Sequence, residues 1–391
     1  MANDVAAFVP ELWSARHQRL KKASLVGLAI SSFEEEKTLK FGTRTHRPTS
    51  PDFVVDNYTK YVDAESQSVT TGDEYLDIDQ QKVVSWDLDM VDIKQSKYDL
   101  EMTTFDRASF QIRNAMDASR LREVLNASYD ADAEQVSGSA GTPATITAAN
   151  VAQFISNAKA ILRAGRVEDD KEWYVVATPE LVAAMEQSMI TNGFVEADKA
   201  LVNGYKGKFA GLRVYESTNV LHSQTATLST VVNGNTITIA GVTFTFATAA
   251  TNAGDVDLGA SDTDAAANFV LAFNGTGTPS ATTYIELSAA NRKIIKGLNA
   301  VASSAAGVIT IYFAGKVVTS RVGAPITLGT MIANCEMGRI GAVDMVIQID
   351  NEFQKNKVQR QTGYTYLLVD VWGKKTFTEG AQRMLNAKIV A

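Results

Sequence analysis

The chain has 391 residues, 45% hydrophobic and 21% charged, the profile of a folded protein long enough for two or three compact units. Its 44 acidic against 37 basic side chains leave a formal net charge of -7, which excludes a tight, salt-sensitive DNA binder. The single cysteine, Cys335, excludes an internal disulfide framework and a cysteine-rich zinc site, and points to folding in the cytoplasm.

Residues 1–40 read as an arm. Asp4 and Glu11 stand where a signal peptide would need positive charge, and the apolar stretch Ala23 to Ile30 is too short to span a bilayer. After Pro10, the residues Leu12, Trp13, Arg16 and Leu20 fall at helical spacing. Trp13 either packs locally or docks on a neighbouring subunit.

From Lys40 to Met102 the sequence is extended, punctuated by Gly42, Pro48 and Pro51. The runs FVVDNYTKYV and KVVSWDLDMVDI have strand period, with the polar stretch ESQSVTTGDEYLDIDQQ between them. A lone two-stranded excursion is marginal in water, so this part calls for a partner surface. Phe105 to Tyr129 is the strongest helix signal, capped by Thr103 or Thr104, with Arg113 and Asp117 expected to pair on its polar side. GSAGTPAT then breaks the chain.

Residues 148–222 alternate helix and strand: NVAQFISNAKAIL, the buried strand WYVVAT, a helix opened by Thr178 and Pro179, and a Gly-rich lead-in to the strand of YKGKFAGLRVYESTNV. Between about Gln224 and Asn334 the composition turns to Thr, Ala, Gly and Val. The acids Asp255, Asp257, Asp262, Asp264 and Glu286 there balance Arg292, Lys293, Lys296, Lys316 and Arg321, so the net charge belongs to the flanks. An inserted module of this kind must have its ends close together on the host surface. Within it GNTITIAGVTFTFAT has hairpin character with Asn233 and Gly234 as turn formers, SDTDAAANFVLAFN is a capped helix, and YIELSA and GVITIYF are strands. The host resumes near Cys335 with the strand EMGRIGAVDMVIQID, followed by two further strands and a closing tail.

Signals for chemistry are sparse. His17, His46 and His222 are scattered and in no metal-binding spacing. Asp73, Glu74, Asp77 and Asp79 could ligate a divalent cation, but alternating acids on a strand are more often a solvated face. Asp130, Asp132 and Glu134 open like a calcium loop, yet Gln135 replaces its glycine and no glutamate closes it. YKGKFAG lacks a Walker ending, and no nucleophile elbow occurs. Neither enzymatic activity nor a cofactor or metal is expected. The basic groups Arg16, Arg19, Lys21 and Lys22, and Lys355, Lys357 and Arg360, are solvated surface, inter-subunit partners for acids, or loose contacts to DNA backbone.

FVPELWSARHQRLKK, VNGYKGKFAGLRVYESTNV and KNKVQRQTGYTYLLVDVWGKKTF, in that order, resemble the major capsid (coat) proteins of tailed bacteriophages. The resemblance implies an α+β fold: an arm (1–40), an extended loop with peripheral strands (41–102), a spine helix and linker (103–145), an axial α/β domain (146–222) interrupted by a β-rich insertion (223–334) and completed by a return strand (335–349), then peripheral strands and a C-terminal tail (350–391). It further implies self-assembly through hexameric and pentameric capsomers into an icosahedral virion shell around double-stranded DNA, with procapsid maturation. Scaffolding, portal and decoration proteins would be further partners, with non-specific contact to packaged DNA and none to membrane. Expected inter-subunit contacts are Trp13, Arg16, Asp73, Glu74, Asp77, Asp79, Lys355, Lys357 and Arg360. The insertion would decorate the surface, aid folding, or join neighbouring capsomers. A tail sheath or tube protein is the alternative; a surface adhesin and an enzyme using the Asp73–Asp79 cluster are weaker ones.

Overall fold

A computed structural model describes residues 25–37, 39, 42–50, 53–61, 63, 66–69, 71–96, 99–165, 172–191, 207–357 and 363–391. The helix expected after Pro10 lies outside these. The described chain begins at the short helix α1 (Gly27–Ile30).

Strands β1 (Arg44–Thr49) and β2 (Gly72–Asp77) form an antiparallel pair, Arg44 opposite Asp77 and Thr49 opposite Gly72. FVVDNYTKYV was expected to be a strand and is not one over its described residues 53–61. Phe53, Val54 and Val55 are apolar in succession, all exposed, and so offer no two-residue alternation to bury. RTHRPT takes the strand instead, with Pro48 tolerated because this small sheet has only edge strands. β3 (Gln80–Asp89) covers most of the second expected run, which then turns into the helix α2 (Met90–Gln95), capped by the Asp89 carboxylate accepting from the Val91 N–H.

The spine helix α3 runs Leu100–Leu121, about 33 Å. It starts earlier than the expected Phe105, because Asp99 is the cap, accepting from the Met102 N–H at 3.0 Å; a tighter 3-10 segment, Arg122–Asn126, replaces its expected last turns. Arg113 and Asp117 do not pair. Arg113 reaches Asp350 at 2.8 Å, and Asp117 is buried against the chain that leads into α1.

β4 (Tyr129–Ala131) precedes α4 (Val151–Ala164), β5 (Trp173–Ala177) and α5 (Pro179–Thr191). The hydroxyl of Thr178 accepts from the Leu181 N–H, which makes Thr178–Pro179 the helix start that its sequence suggests. β6 (Lys208–Phe209), β7 (Leu212–Glu216) and β8 (Leu221–Leu228) follow. Every residue of β5 is buried, as a strand covered on both faces requires.

The compositionally distinct block builds its own core. β9 (Thr236–Ile239) and β10 (Val242–Ala247) pair with Ile239 opposite Val242, so the turn is Ala240–Gly241, both at positive φ, and not the expected Asn233–Gly234. β11 (Asp255–Asp257) lies parallel to β10. α6 (Asp262–Asn274) is capped by Ser261, as its sequence indicates, and places Phe269 and Phe273 against Phe244, with ring centroids 5.0 and 5.9 Å away. YIELSA is no strand; Tyr284 makes single bridges only, and the last two residues of the run are the cap, Ser288, and the first residue of α7 (Ala289–Gly297). β12 (Val301–Ala305), β13 (Val308–Ala314), β14 (Thr319–Val322) and β15 (Ile326–Leu328) complete the block.

EMGRIGAVDMVIQID divides into β16 (Ile332–Arg339) and β17 (Asp344–Lys357), separated by a turn at Gly341 with φ 87°. β18 (Gly363–Lys375) lies between β17 and β3 in a three-stranded antiparallel sheet. After α8 (Thr378–Gln382), the expected tail is a buried strand, β19 (Met384–Val390), paired with β16 from Gly338–Met384 to Ile332–Val390. The main sheet has ten strands, in the order β12-β13-β8-β16-β5-β7-β6, with β15, β19 and β4 attached. β8 links the two parts. Its first residues pair with β16 and Leu221–Thr227 pair with β13, so β16 and β13 lie in one continuous sheet.

Candidate assembly interface

The root of the β1–β2 hairpin is held by polar groups around a small apolar cluster of Leu39, Leu76, Ile78, Val346, Val371 and Phe377. Arg47 donates to Glu35 at 2.7 Å and to Asp344 at 3.1 Å, with its guanidinium 4.1 Å from the centre of the Phe377 ring. Burial lifts the Asp344 carboxyl above its usual range, against the pull of hydrogen bonds from Ser32 and Arg47. Glu74 accepts from the Thr378 N–H at 3.0 Å and from its hydroxyl, and these bonds hold its pKa below the usual value. Asp77 takes two hydrogen bonds from Arg44, at 2.5 and 2.9 Å, and is likewise lowered. His46 Nδ1 lies 2.6 Å from Asp73.

Beyond this root, the described residues between the two strands are exposed. Phe53, Val54, Val55, Tyr58 and Tyr61 are 67–94% solvent accessible, a run of large apolar groups that no described residue covers. Contiguous apolar exposure of this kind marks an interaction surface.

The far part of the β17–β18 hairpin is tied to the spine helix of the same chain. Lys355 is paired with Glu101 at the start of α3, its ammonium 4.3 Å from the centre of the Tyr364 ring. The Tyr366 hydroxyl also donates to Glu101, and these two donors keep the Glu101 carboxyl low. Trp86 stacks on Tyr366 with centroids 5.5 Å apart.

Where spine, arm and main sheet meet, a buried ionic node ties them together. Arg120, fully buried, donates from both terminal nitrogens to Glu336, at 2.6 and 2.9 Å, and from Nε to Ser31 at 2.8 Å. Tyr174 also donates to Glu336, and burial followed by the Glu336 charge pushes its pKa well up. One turn earlier, Asp117 accepts the N–H groups of Val26 and Gly27, at 2.9 and 2.6 Å, and the amide of Asn219 at 2.9 Å. Burial raises its pKa in spite of those three donors. Sequence inspection missed this node, since Arg120 and Glu336 are 216 positions apart; the available signal was a charged residue inside the apolar strand that follows Cys335.

Of the residues singled out from sequence, Trp13, Arg16 and Arg360 lie outside the described residues. Asp73, Glu74 and Asp77 come together on β2 and are engaged within their own chain, as is Lys355. Asp79 and Lys357 are exposed. Asp132 opens no cation loop: it caps the 3-10 turn Ala133–Val136, with Gln135 returning the bond. Among the described residues, no group of three or more His, Cys, Asp or Glu side chains is placed to hold a metal ion.

No protein-family model matches the chain, and no curated protein does so by sequence. Solved structures do. A chain of Mycobacterium phage Che8 superposes with a TM-score of 0.58 at 14% identity, covering 97% of this chain and 96% of that one. The capsid structure of cyanophage P-SCSP1u gives 0.54 at 9% identity, over 99% and 94% of the two chains. The mature capsid of bacteriophage PhiM1 gives 0.50 at 11% identity, over 97% and 92%. Over nearly its whole length, the α+β chain described above has the fold of tailed-phage capsid proteins.

Proposed function

We propose that this chain is the major capsid protein of a tailed phage, building the icosahedral head shell around the DNA genome. The carrying observation is the match of fold over almost all of both chains to structures that include assembled capsids. The uncovered apolar run at 53–61 supports it, because a subunit with that much exposed apolar chain gains free energy when a sister copy covers it. On this reading the arm residues Trp13 and Arg16, the exposed Asp79 and Lys357, and Arg360 serve contacts between subunits or to packaged DNA. Asp73, Glu74, Asp77 and Lys355 set the direction of the two projecting hairpins. The inserted block at 223–334 decorates the surface or joins neighbouring capsomers. Each contact in such a shell is weak, on the order of 4–8 kcal/mol, so that misplaced subunits can leave.

Expression followed by negative-stain imaging and sedimentation tests the proposal: closed particles or capsomers support it. Helical tubes would favour the tail-tube alternative, and small monomers at high concentration would overturn both.

A further inference from the structure

The strands β9, β10, β12 and β13 read TITI, VTFTFA, VASSA and VITIYFA, without one acid or base. Uncharged segments of this kind add to one another wherever a sheet edge is open, because an edge strand presents a row of unpaired N–H and C=O groups. How the block ends its sheets is therefore informative. β12 is the last strand of the ten-stranded sheet and pairs with β13 alone, Ala302 opposite Ile311. Both outward backbone groups of Ala302 are taken. The side-chain amide of Asn274 donates to the Ala302 carbonyl at 2.9 Å and accepts the Ala302 N–H, also at 2.9 Å. One donor and one acceptor aimed at the same residue reproduce what a paired strand would offer it.

The way α6 ends fixes that amide in place. Gly275, at φ 67°, stops the helix, with its N–H on the Leu271 carbonyl at 2.9 Å. Arg292 of α7 donates to the carbonyls of Ala272 and Phe273, at 2.7 and 2.8 Å, and Phe269 and Phe273 anchor the helix in the core. The four-stranded sheet of the block is closed at its ends as well. Along β11, the Thr283 carbonyl accepts from the Asp257 N–H at 2.8 Å, and the Ile285 N–H donates to the Asp255 carbonyl at 3.0 Å. At the other end, β14 has only four residues and carries Arg321, a charge that an added strand would have to desolvate.

We propose that Asn274 is an edge stopper: its side chain closes β12 to strand addition, and so keeps the uncharged sheet of the block from growing into that of another chain. Alternation along β12 turns one further residue outward, Ser304, and a single free residue gives an added strand too little to hold. The inference goes beyond the shell reading and stands or falls without it.

The test compares full-length wild type and Asn274→Ala as unassembled subunits, at a temperature where amide exchange shows both to be folded. Asn274→Ala is expected to give sedimenting, thioflavin-positive material with the cross-β spacing of about 4.7 Å, several-fold faster than wild type. Adding Ser303→Lys, a charge at an exposed position of the same strand, should suppress that material without restoring protection of the Ala302 amide. A side chain that merely tied α6 to the sheet would leave aggregation tracking the unfolded fraction, and the lysine would not help. Asn274→Ala as soluble as wild type, although its Ala302 amide exchanges freely, overturns the inference. Equal aggregation with and without Ser303→Lys overturns it too. If Asn274→Ala unfolds the block, the same pair of measurements is made on Asn274→Asp, which keeps the acceptor for the Ala302 N–H and loses the donor, and the same outcomes decide.

Discussion

Replacing Arg120 with methionine should unfold the junction of spine, arm and main sheet more readily than any surface change. Arg120→Met keeps most of the side-chain volume but removes two hydrogen bonds to Glu336 and one to Ser31. The Glu336 carboxylate, 2% exposed, would then keep the Tyr174 hydroxyl as donor without a counter-ion. Breaking a buried pair in this way costs about 3–5 kcal/mol. Replacing both partners, as Arg120→Met with Glu336→Leu, removes the stranded charge, so the double variant should recover about 1–3 kcal/mol relative to Arg120→Met alone. Urea unfolding of unassembled subunits, followed by far-UV circular dichroism and by amide exchange along β5 and β16, measures both quantities. An Arg120→Met cost below about 1 kcal/mol, or a double variant as poor as the sum of the singles, would refute the argument.

Four further outcomes are expected. Phe53→Ser with Tyr58→Ser should leave subunit stability within about 0.5 kcal/mol, because both side chains are exposed, while particle yield in the electron microscope falls sharply. Gly373→Ala places a Cβ 2.4 Å from the Asp77 carbonyl oxygen, so it should push the hairpin root off β18 and block assembly, with the main sheet intact by amide exchange. Burial pushes the Cys335 thiol up to about 12, so it should resist a thiol reagent at pH 8 until denaturant is added. Burial alone would raise the pKa of Glu123, but Lys374 at 2.8 Å and Thr376 outweigh it and the net shift is downward. Its contribution is therefore full above the ordinary value of 4.5 and fades as pH falls through the lower folded value; in an acid titration of stability, Glu123→Gln should remove that part of the loss.

Local chemistry was legible in the sequence where one residue decides the outcome. Ser261 ahead of DTDAAANFVLAFN and Thr178–Pro179 ahead of ELVAAMEQSM each start a helix where side-chain type demands. Competing local signals misled. Thr103 and Thr104 looked like caps, but their hydroxyls bond back to the carbonyls of Asp99 and Leu100, and Asp99 does the capping. Asn233–Gly234 is the stronger turn dipeptide, yet Gly234 is spent in a separate turn, its N–H bonded to the Phe246 carbonyl, and Ala240–Gly241 closes the hairpin. What depends on distant partners was illegible: β19 looks like a tail because only its pairing with β16 makes it core. The same holds for the hairpin acids. Asp73, Glu74 and Asp77 read as a solvated row, but their partners are Arg44 and His46 on β1 and Thr378, 304 positions from Glu74.

The strand shared by host and block has an architectural corollary. Ser223 and Ile332 sit side by side on adjacent antiparallel strands, the positions a tight reverse turn would join. The chain between these two positions is more than a hundred residues long, and it leaves the main sheet along backbone hydrogen bonds instead of a slack tether. A segment joined there takes its orientation from the sheet itself, because the last paired residues fix the direction in which the chain departs.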